Sequence, residues 1–539
     1  MNWNAKNNLL FSILVNLVLF AAFLVLFKPI LNSDDDFYVL YTLGGGYGNA
    51  SSHILHYLNV WHPFLFWPVA KLFSFFPHFN WYALLLIVLQ FTSCVYLLYI
   101  LGLLFGNIKM TGIVFVIFFL FFESRFLISL NNSNSSFVLA ISGCTGLLVY
   151  FIRNKNSKKY IIRQLALPLA LLLIGLLLRV HTTVLYIVLT VCAAFSLLPW
   201  SQFKRLVAAF LLWGAVSLIF NIVHKIYYHS IIPEFEVEEE RRQLLFQLAN
   251  HPIKDTLNDI GLARVKNSFI QSWFLYDREF IKPGEIKAYF NKTVYNRVEN
   301  PEELPSFLYW TFINSRVYIL LFALVFLFFI VTKARHELKK WLFMLLPFVL
   351  AYLYLSLFMK VTEGIFIALL AGAFLSAVLC LKNINIRARQ LQFTFCFLLI
   401  LNIIWMVVRV VKTHYLNANN ITETRSILKE IKANQNLLFI NTNYFNDNGF
   451  YIWDTPLEYP LHNFINKELL ITNSYQTTLD RFNIKQLMKE IPLRKDVVLS
   501  GQELPLLKEY YKRKGLNVSI DKKEGFRNIQ VFEVRISHN

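Results

Sequence analysis

Apolar segments of about twenty residues recur about eleven times along this chain, and that repetition leaves few ways to fold. They lie near 9–30, 82–105, 111–130, 136–152, 163–179, 182–199, 206–222, 316–333, 341–359, 364–381 and 391–411. As helices most are long enough to cross a hydrocarbon core of about 30 Å. The chain is 56% hydrophobic and 16% charged, whereas a soluble chain carries about 25% charged residues. The sequence therefore predicts an α-helical, multi-pass membrane protein.

The net charge of +19 over 539 residues is distributed in a way that argues against a nucleic-acid partner. Basic clusters fall at alternate segment ends: Arg153/Lys155/Lys158/Lys159, Lys204/Arg205, Lys333/Arg335/Lys339/Lys340 and Lys382/Arg387/Arg389. These short connections are nearly free of acids, which is the positive-inside pattern. It places the N-terminus in the cytoplasm. An odd number of spans then places the C-terminus outside, with loops 31–81 and 223–315. The first span is too long for the apolar core of a signal peptide and reads as an uncleaved anchor. All five cysteines, Cys94, Cys144, Cys192, Cys380 and Cys396, fall inside expected spans, so no disulfide framework is expected outside. No CxxC or HExxH offers a metal site.

The first outer loop is not simply polar. Its stretch from Ile54 to Phe76 holds Pro63, Pro68 and Lys71 among Trp, Phe and His, a composition that suits a helix lying in the membrane interface. The second outer loop, of about ninety residues, is long enough to suggest function. From 413 to 539 short apolar runs at 436–440, 468–472, 496–500 and 529–534 read as strands, with an amphipathic helix at 503–514. The expected organisation is a transmembrane domain over 1–412 and a small extracytoplasmic α/β domain over 413–539.

Directly after the first span stand three acids, Asp34, Asp35 and Asp36. Such carboxylates lie at a depth that lipid-borne and water-borne groups both reach. Ser33-x-x-Asp36 also fits a capping box, and acids in a first turn favour the helix dipole. Neighbouring carboxylates raise one another's pKa, which makes a better base toward a hydroxyl. Adjacent helical residues point about 100° apart, so one or two of the three can share a cavity. Further ionisable groups gather on the same side of the predicted membrane: Glu123 and Arg125, Arg179 and His181, Lys360 and Glu363. Singly, each reads as an interfacial side chain. Together they offer a phosphate clamp, for which Arg is suited by its fork of donors. His53, His56 and His62 read either as interfacial or as sugar-binding groups. Glu238–Glu240 with Arg241/Arg242 reads most simply as a solvated helix face.

The acidic pair after span one, the interfacial loop, the span number and the outer C-terminal domain resemble the GT-C superfamily of membrane glycosyltransferases. Within it the likeness is to bacterial members related to serotype glucosyltransferases, the aminoarabinose transferase of lipid A and protein O-mannosyltransferases. The motifs that carry it are Asp35-Asp36, Gly45 with Tyr47, His53, and Leu58-Asn59-Val60. Further echoes are Arg241/Arg242 before His251-Pro252, residues 260–262, and Trp273 with Asp277. The third acid, Asp34, leaves the register of the pair open, and Asp35-Asp36 reaches Tyr47 without a gap. The resemblance implies inverting transfer of a sugar from a polyprenyl-phosphate donor to a glycan, lipid or protein acceptor at the outer face. Asp35 would be the base and Asp36 its partner. Arg179 and Lys360, then Arg125, would contact the phosphate. Asp34, Tyr47, His53, Asn59 and Arg241 complete the expected substrate-binding set. Some relatives use a divalent metal and others do not, and no ligand set in this sequence decides between them. An O-antigen-type polymerase or ligase would instead lean on Arg241 and Arg242. A flippase or transporter would show matched internal repeats, and none is visible.

Overall fold

The computed structural model describes residues 5–537 apart from 33, 54–61, 155–161, 232–234, 254–261, 272–280, 296, 298–301, 382–388, 443–449, 466–472 and 502–503. In chain order its helices are α1 (Ala5–Leu26), α2 (Asp34–Leu43), α3 (Pro63–Phe75), α4 (Trp81–Phe105), α5 (Ile108–Phe118), α6 (Ser124–Ile128), α7 (Asn132–Arg153), α8 (Ile162–Leu178), α9 (Val180–Leu197), α10 (Trp200–Ile231), α11 (Phe235–Asn250), α12 (Leu262–Gln271), α13 (Pro283–Thr293), α14 (Glu303–Val331), α15 (Arg335–Phe358), α16 (Glu363–Leu381), α17 (Arg389–Ala433), α18 (Asn473–Arg481), α19 (Leu487–Glu490) and α20 (Leu504–Arg513). Two compact units form. One comprises Met1–Pro29, Leu84–His224 and Asn296–Leu416, the other Ile30–Ala83, Lys225–Tyr295 and Asn417–Asn539.

The first unit is a helical bundle. Among the described residues nine helices are long and apolar enough to cross a membrane. The two remaining expected spans correspond to shorter apolar stretches, Gln164–Leu178 and Ser315–Val331. Association in lipid depends on close packing of small residues, and α7 shows this. It is buried along the whole of its apolar length. A Cβ on Gly143 would stand 2.8 Å from the Pro168 carbonyl oxygen, so α8 lies directly against it. Ser136 of α7 donates to the carbonyl of Gly175, 2.8 Å away. The outer layer is looser and greasier. In α1 the side chains of Asn8, Ser12 and Asn16 are buried while Leu14, Leu17 and Val18 are exposed. Asn8 Nδ2 meets the Tyr99 carbonyl at 2.9 Å.

The expected span at 111–130 is broken. Between α5 and α6 the chain makes a π-helical turn over Phe119–Glu123. One inserted residue rotates all that follows by about 100° around the helix axis. Arg125, two residues later, is 6% exposed and points inward.

The second unit is built from three separated stretches of sequence. Its sheet has five strands in the order Phe464–Ile465, Leu438–Thr442, Val497–Gly501, Phe532–Ile536 and Val518–Lys522. The first three run parallel, with Phe439 opposite Val498, and the last two pair antiparallel to their neighbours. Leu438, Phe439, Ile440, Val497, Val498 and Leu499 are all buried, as expected of parallel strands covered on both faces. The expected strand at 468–472 lies outside the described residues. α20 matches the expected helix at 503–514. The sheet core also contains Leu244, Leu245 and Leu248 of α11, Val265 and Phe269 of α12, and Ile286 and Tyr289 of α13. The second outer loop and the C-terminal strands thus share one hydrophobic core. α17 continues 22 residues past the expected span end at 411 (433 − 411). Hydropathy falls there, but Ile421, Thr424, Leu428 and Ile431 remain buried, so the helical period outlasts the apolar composition.

Candidate active site

α2 begins at Asp34, so the three acids occupy its first turn, where they suit the helix dipole. Ser33 and the Asp34 side chain lie outside the described residues. Asp36 is fully buried and accepts a hydrogen bond from the Tyr82 hydroxyl. Asp35 is only half-buried. The 100° step between neighbours separates their surroundings as expected. Asn80 fixes the donor: its Oδ1 accepts from the Ala83 backbone N–H at 3.0 Å and caps α4, of which Tyr82 is the second residue. Asn80 Nδ2 also reaches the Asp454 carbonyl at 3.0 Å. No motif in the sequence singled out Tyr82, because its pairing with Asp36 spans 46 residues.

The glycine-rich turn behind α2 is a docking surface within this unit. A Cβ on Gly44 would stand 2.7 Å from Pro456 Cγ, and one on Gly46 would stand 2.6 Å from Pro456 Cβ and overlap the Tyr41 ring. Tyr41 donates to the Tyr459 carbonyl at 2.8 Å. Phe37 and Tyr41 both pack edge-on against Phe450. Tyr47 is buried with its ring 5.3 Å from that of Tyr41, so it contributes to this packing. His53 Nε2 lies 2.6 Å from the Tyr227 hydroxyl. Burial, and then the Lys71 charge, hold the His53 imidazole below its ordinary pKa. Arg241, expected on a solvated helix face, is instead buried on α11, the helix that supplies Leu244, Leu245 and Leu248 to the core. Asn59, His56, Trp273 and Asp277 lie outside the described residues.

The cations expected at the phosphate belong to the first unit, and all sit at one end of the bundle. That end holds the C-termini of α6, α8 and α15 and the N-termini of α7, α9 and α16. Arg125 donates to Glu363 from Nη2 and to Thr413 Oγ1 from Nη1, the latter at 3.0 Å. Arg179 donates to Ser133. Lys360 is exposed in the turn between α15 and α16. Partial burial, and then the charge of Arg297, lower its pKa. Sequence reading missed three further arginines here. Arg409 Nη2 stands 3.6 Å from Glu363 Oε1. Arg316 covers the Trp405 ring at 5.3 Å. Arg297 Nη1 donates to the Met359 carbonyl at 2.9 Å. Arg316 opens one apolar run and Arg409 interrupts another, and an apolar window gives no sign of which side chains converge. Arg125 and Arg409 at Glu363, with Arg179, Arg297, Arg316 and Lys360 at the same end, make it an anion-attracting surface. Among the described residues no three His, Cys, Asp or Glu side chains gather as a metal site would require.

The fold of this chain recurs among solved structures. Two solved structures share it. ArnT from Cupriavidus metallidurans bound to undecaprenyl phosphate matches 98% of this chain and 98% of its own, with TM-score 0.50 and 10% identity. The same protein in the apo state matches 97% of each chain, with TM-score 0.49 and 9% identity. At about one identical residue in ten, what is shared is the fold. No protein-family model matches the sequence, and no curated protein sequence matches it.

Proposed function

We propose that this protein is a membrane glycosyltransferase that moves a sugar from a polyprenyl-phosphate donor to a hydroxyl of a glycan, lipid or protein acceptor. The observation that carries this reading is the fold, shared over nearly the whole chain with a protein solved holding undecaprenyl phosphate. Two features of this chain support it. The unequal burial of Asp35 and Asp36 suits one reachable base and one fixed partner. The cation-rich bundle end suits a phosphate.

In the proposed reaction Asp35 takes the proton of the acceptor hydroxyl. The freed oxygen forms a bond to the anomeric carbon while the bond from that carbon to the phosphate oxygen breaks, with inversion. The phosphate leaves on its lipid with the electron pair. Asp36, held by Tyr82, keeps α2 and thus Asp35 oriented and adds negative charge that strengthens the base. Arg179 and Lys360, with Arg125, neutralise the departing phosphate. Asp34, His53, Asn59, Tyr47 and Arg241 remain proposed contributors to substrate binding, with Tyr47 and Arg241 acting from buried positions. The chain is proposed to sit in a bacterial cytoplasmic membrane with its second unit outside.

The test uses purified full-length protein and a panel of undecaprenyl-phosphate-linked labelled sugars, reading release of undecaprenyl phosphate. Release by wild type and its loss in a folded Asp35→Asn variant are expected. Near-normal release in that variant would remove Asp35 from the mechanism.

A further inference from the structure

At the cation-rich end of the first unit one carboxylate serves two guanidinium groups. Glu363 Oε1 accepts from Arg125, and Arg409 Nη2 stands 3.6 Å from the same oxygen. The partners differ in freedom. The Arg125 side chain is 6% exposed and Thr413 fixes it from another side. Its Nε–H is buried without an acceptor, so it has a donor to spare. Glu363 is 50% exposed. It is the first residue of α16, followed by Gly364 and preceded by the short turn that carries Lys360. A half-hydrated carboxylate can swing into water at small cost, whereas a buried guanidinium cannot. Arg316 lies close enough to Arg409 for their charges to repel. If Glu363 left with nothing in its place, like charges would face each other in a poorly hydrated site, which is costly. Departure of the carboxylate is therefore coupled to arrival of another anion.

We propose that Glu363 is a resident stand-in for a phosphate. It holds Arg125 and Arg409 in register while the site is empty, yields to an incoming phosphate group, and so sets the affinity for that group. The inference rests on the lipid-phosphate reading given above. Undecaprenyl phosphate, a monoester, brings more charge and more acceptor oxygens than the carboxylate it displaces, so the exchange runs toward it; the sugar-bearing diester matches the carboxylate's single charge.

The test measures binding of undecaprenyl phosphate, and separately of inorganic phosphate, to full-length protein in detergent. Removing the competitor in Glu363→Gln should tighten binding of the lipid about tenfold, the scale of one charge-assisted hydrogen bond. Glu363→Asp keeps the charge and is one methylene too short to bridge both arginines, so it should bind about threefold tighter. If wild type binds the lipid and both variants bind it equally or more weakly, Glu363 is a fixed counter-ion and the inference fails. A gain for inorganic phosphate alone would overturn the lipid headgroup as the ligand. If wild type does not bind undecaprenyl phosphate, the proposed function fails instead.

Discussion

Asp36 and Asp35 are chemically identical neighbours whose surroundings divide them. A buried carboxylate needs donors, and Tyr82 supplies one. Replacing Tyr82 by Phe should lower stability by about 1–3 kcal/mol, the usual consequence of removing a donor from a buried carboxylate. It should also reduce sugar transfer about tenfold while leaving binding of undecaprenyl phosphate unchanged. Thermal unfolding and steady-state rates check the two halves separately. Two histidines make the second unit sensitive to acid. Burial, followed by Lys71 for His53 and by Arg481 for His462, lowers both pKa values below 6.5. A lowered histidine pKa favours the neutral form in the folded state. Its contribution to stability is complete above 6.5 and is lost as pH falls through the lower folded value. The melting temperature should therefore fall between pH 7 and 5, and fall less in His53→Gln and His462→Gln. The acid triplet, Arg125, Arg179 and Lys360 were legible because charge beside an apolar run stands out. Tyr82, Arg316 and Arg409 were not, because a single tyrosine or arginine acquires its meaning only from a partner far along the chain.

Among the elements, the turn after α2 is the most constrained. Gly44 and Gly46 let the first loop close on Pro456. A methyl at Gly46 meets both the proline and the Tyr41 ring, neither of which can fold away. Gly46→Ala should cost about 1–3 kcal/mol by overpacking, and proteolysis within the first loop should report the loosening. α3 presents Phe64, Trp67, Phe75 and Phe76 to the outside, while Phe66, Val69, Ala70 and Phe73 are buried. Thirteen residues rise about 20 Å, short of a hydrocarbon core, so this aromatic face suits the membrane surface. A fluorophore at Trp67→Cys should be quenched by lipids labelled near the headgroup and not by lipids labelled at the chain ends. The π turn before Arg125 had no sequence signal, since Glu123 and Arg125 mark charge within an apolar span and say nothing of an inserted residue. α17 continues past the expected span end at 411 because its helical period outlasts its apolar composition.

At the scale of the whole molecule the orientation follows from charge. Lys333, in the basic connection between α14 and α15, should face the cytoplasm, and Lys523, in the second unit, should face outward. In intact cells a membrane-impermeant thiol reagent should label Lys523→Cys and spare Lys333→Cys in a background whose native cysteines are replaced. The apolar spans, their number, their alternation of basic ends and the parallel strands at 438–442 and 497–501 are local properties. Each is written in about twenty consecutive residues or fewer, and composition and period suffice to read it. Assembly is not local. Three stretches separated by more than a hundred residues form the second unit, and two arginines from different helices attend one glutamate. Those pairings depend on which faces meet in space, and a single sequence carries no distance between residues that are far apart along it. The sequence by itself determined that this chain is a membrane bundle with acids at one threshold, and only the tertiary structure decided what those acids and cations touch.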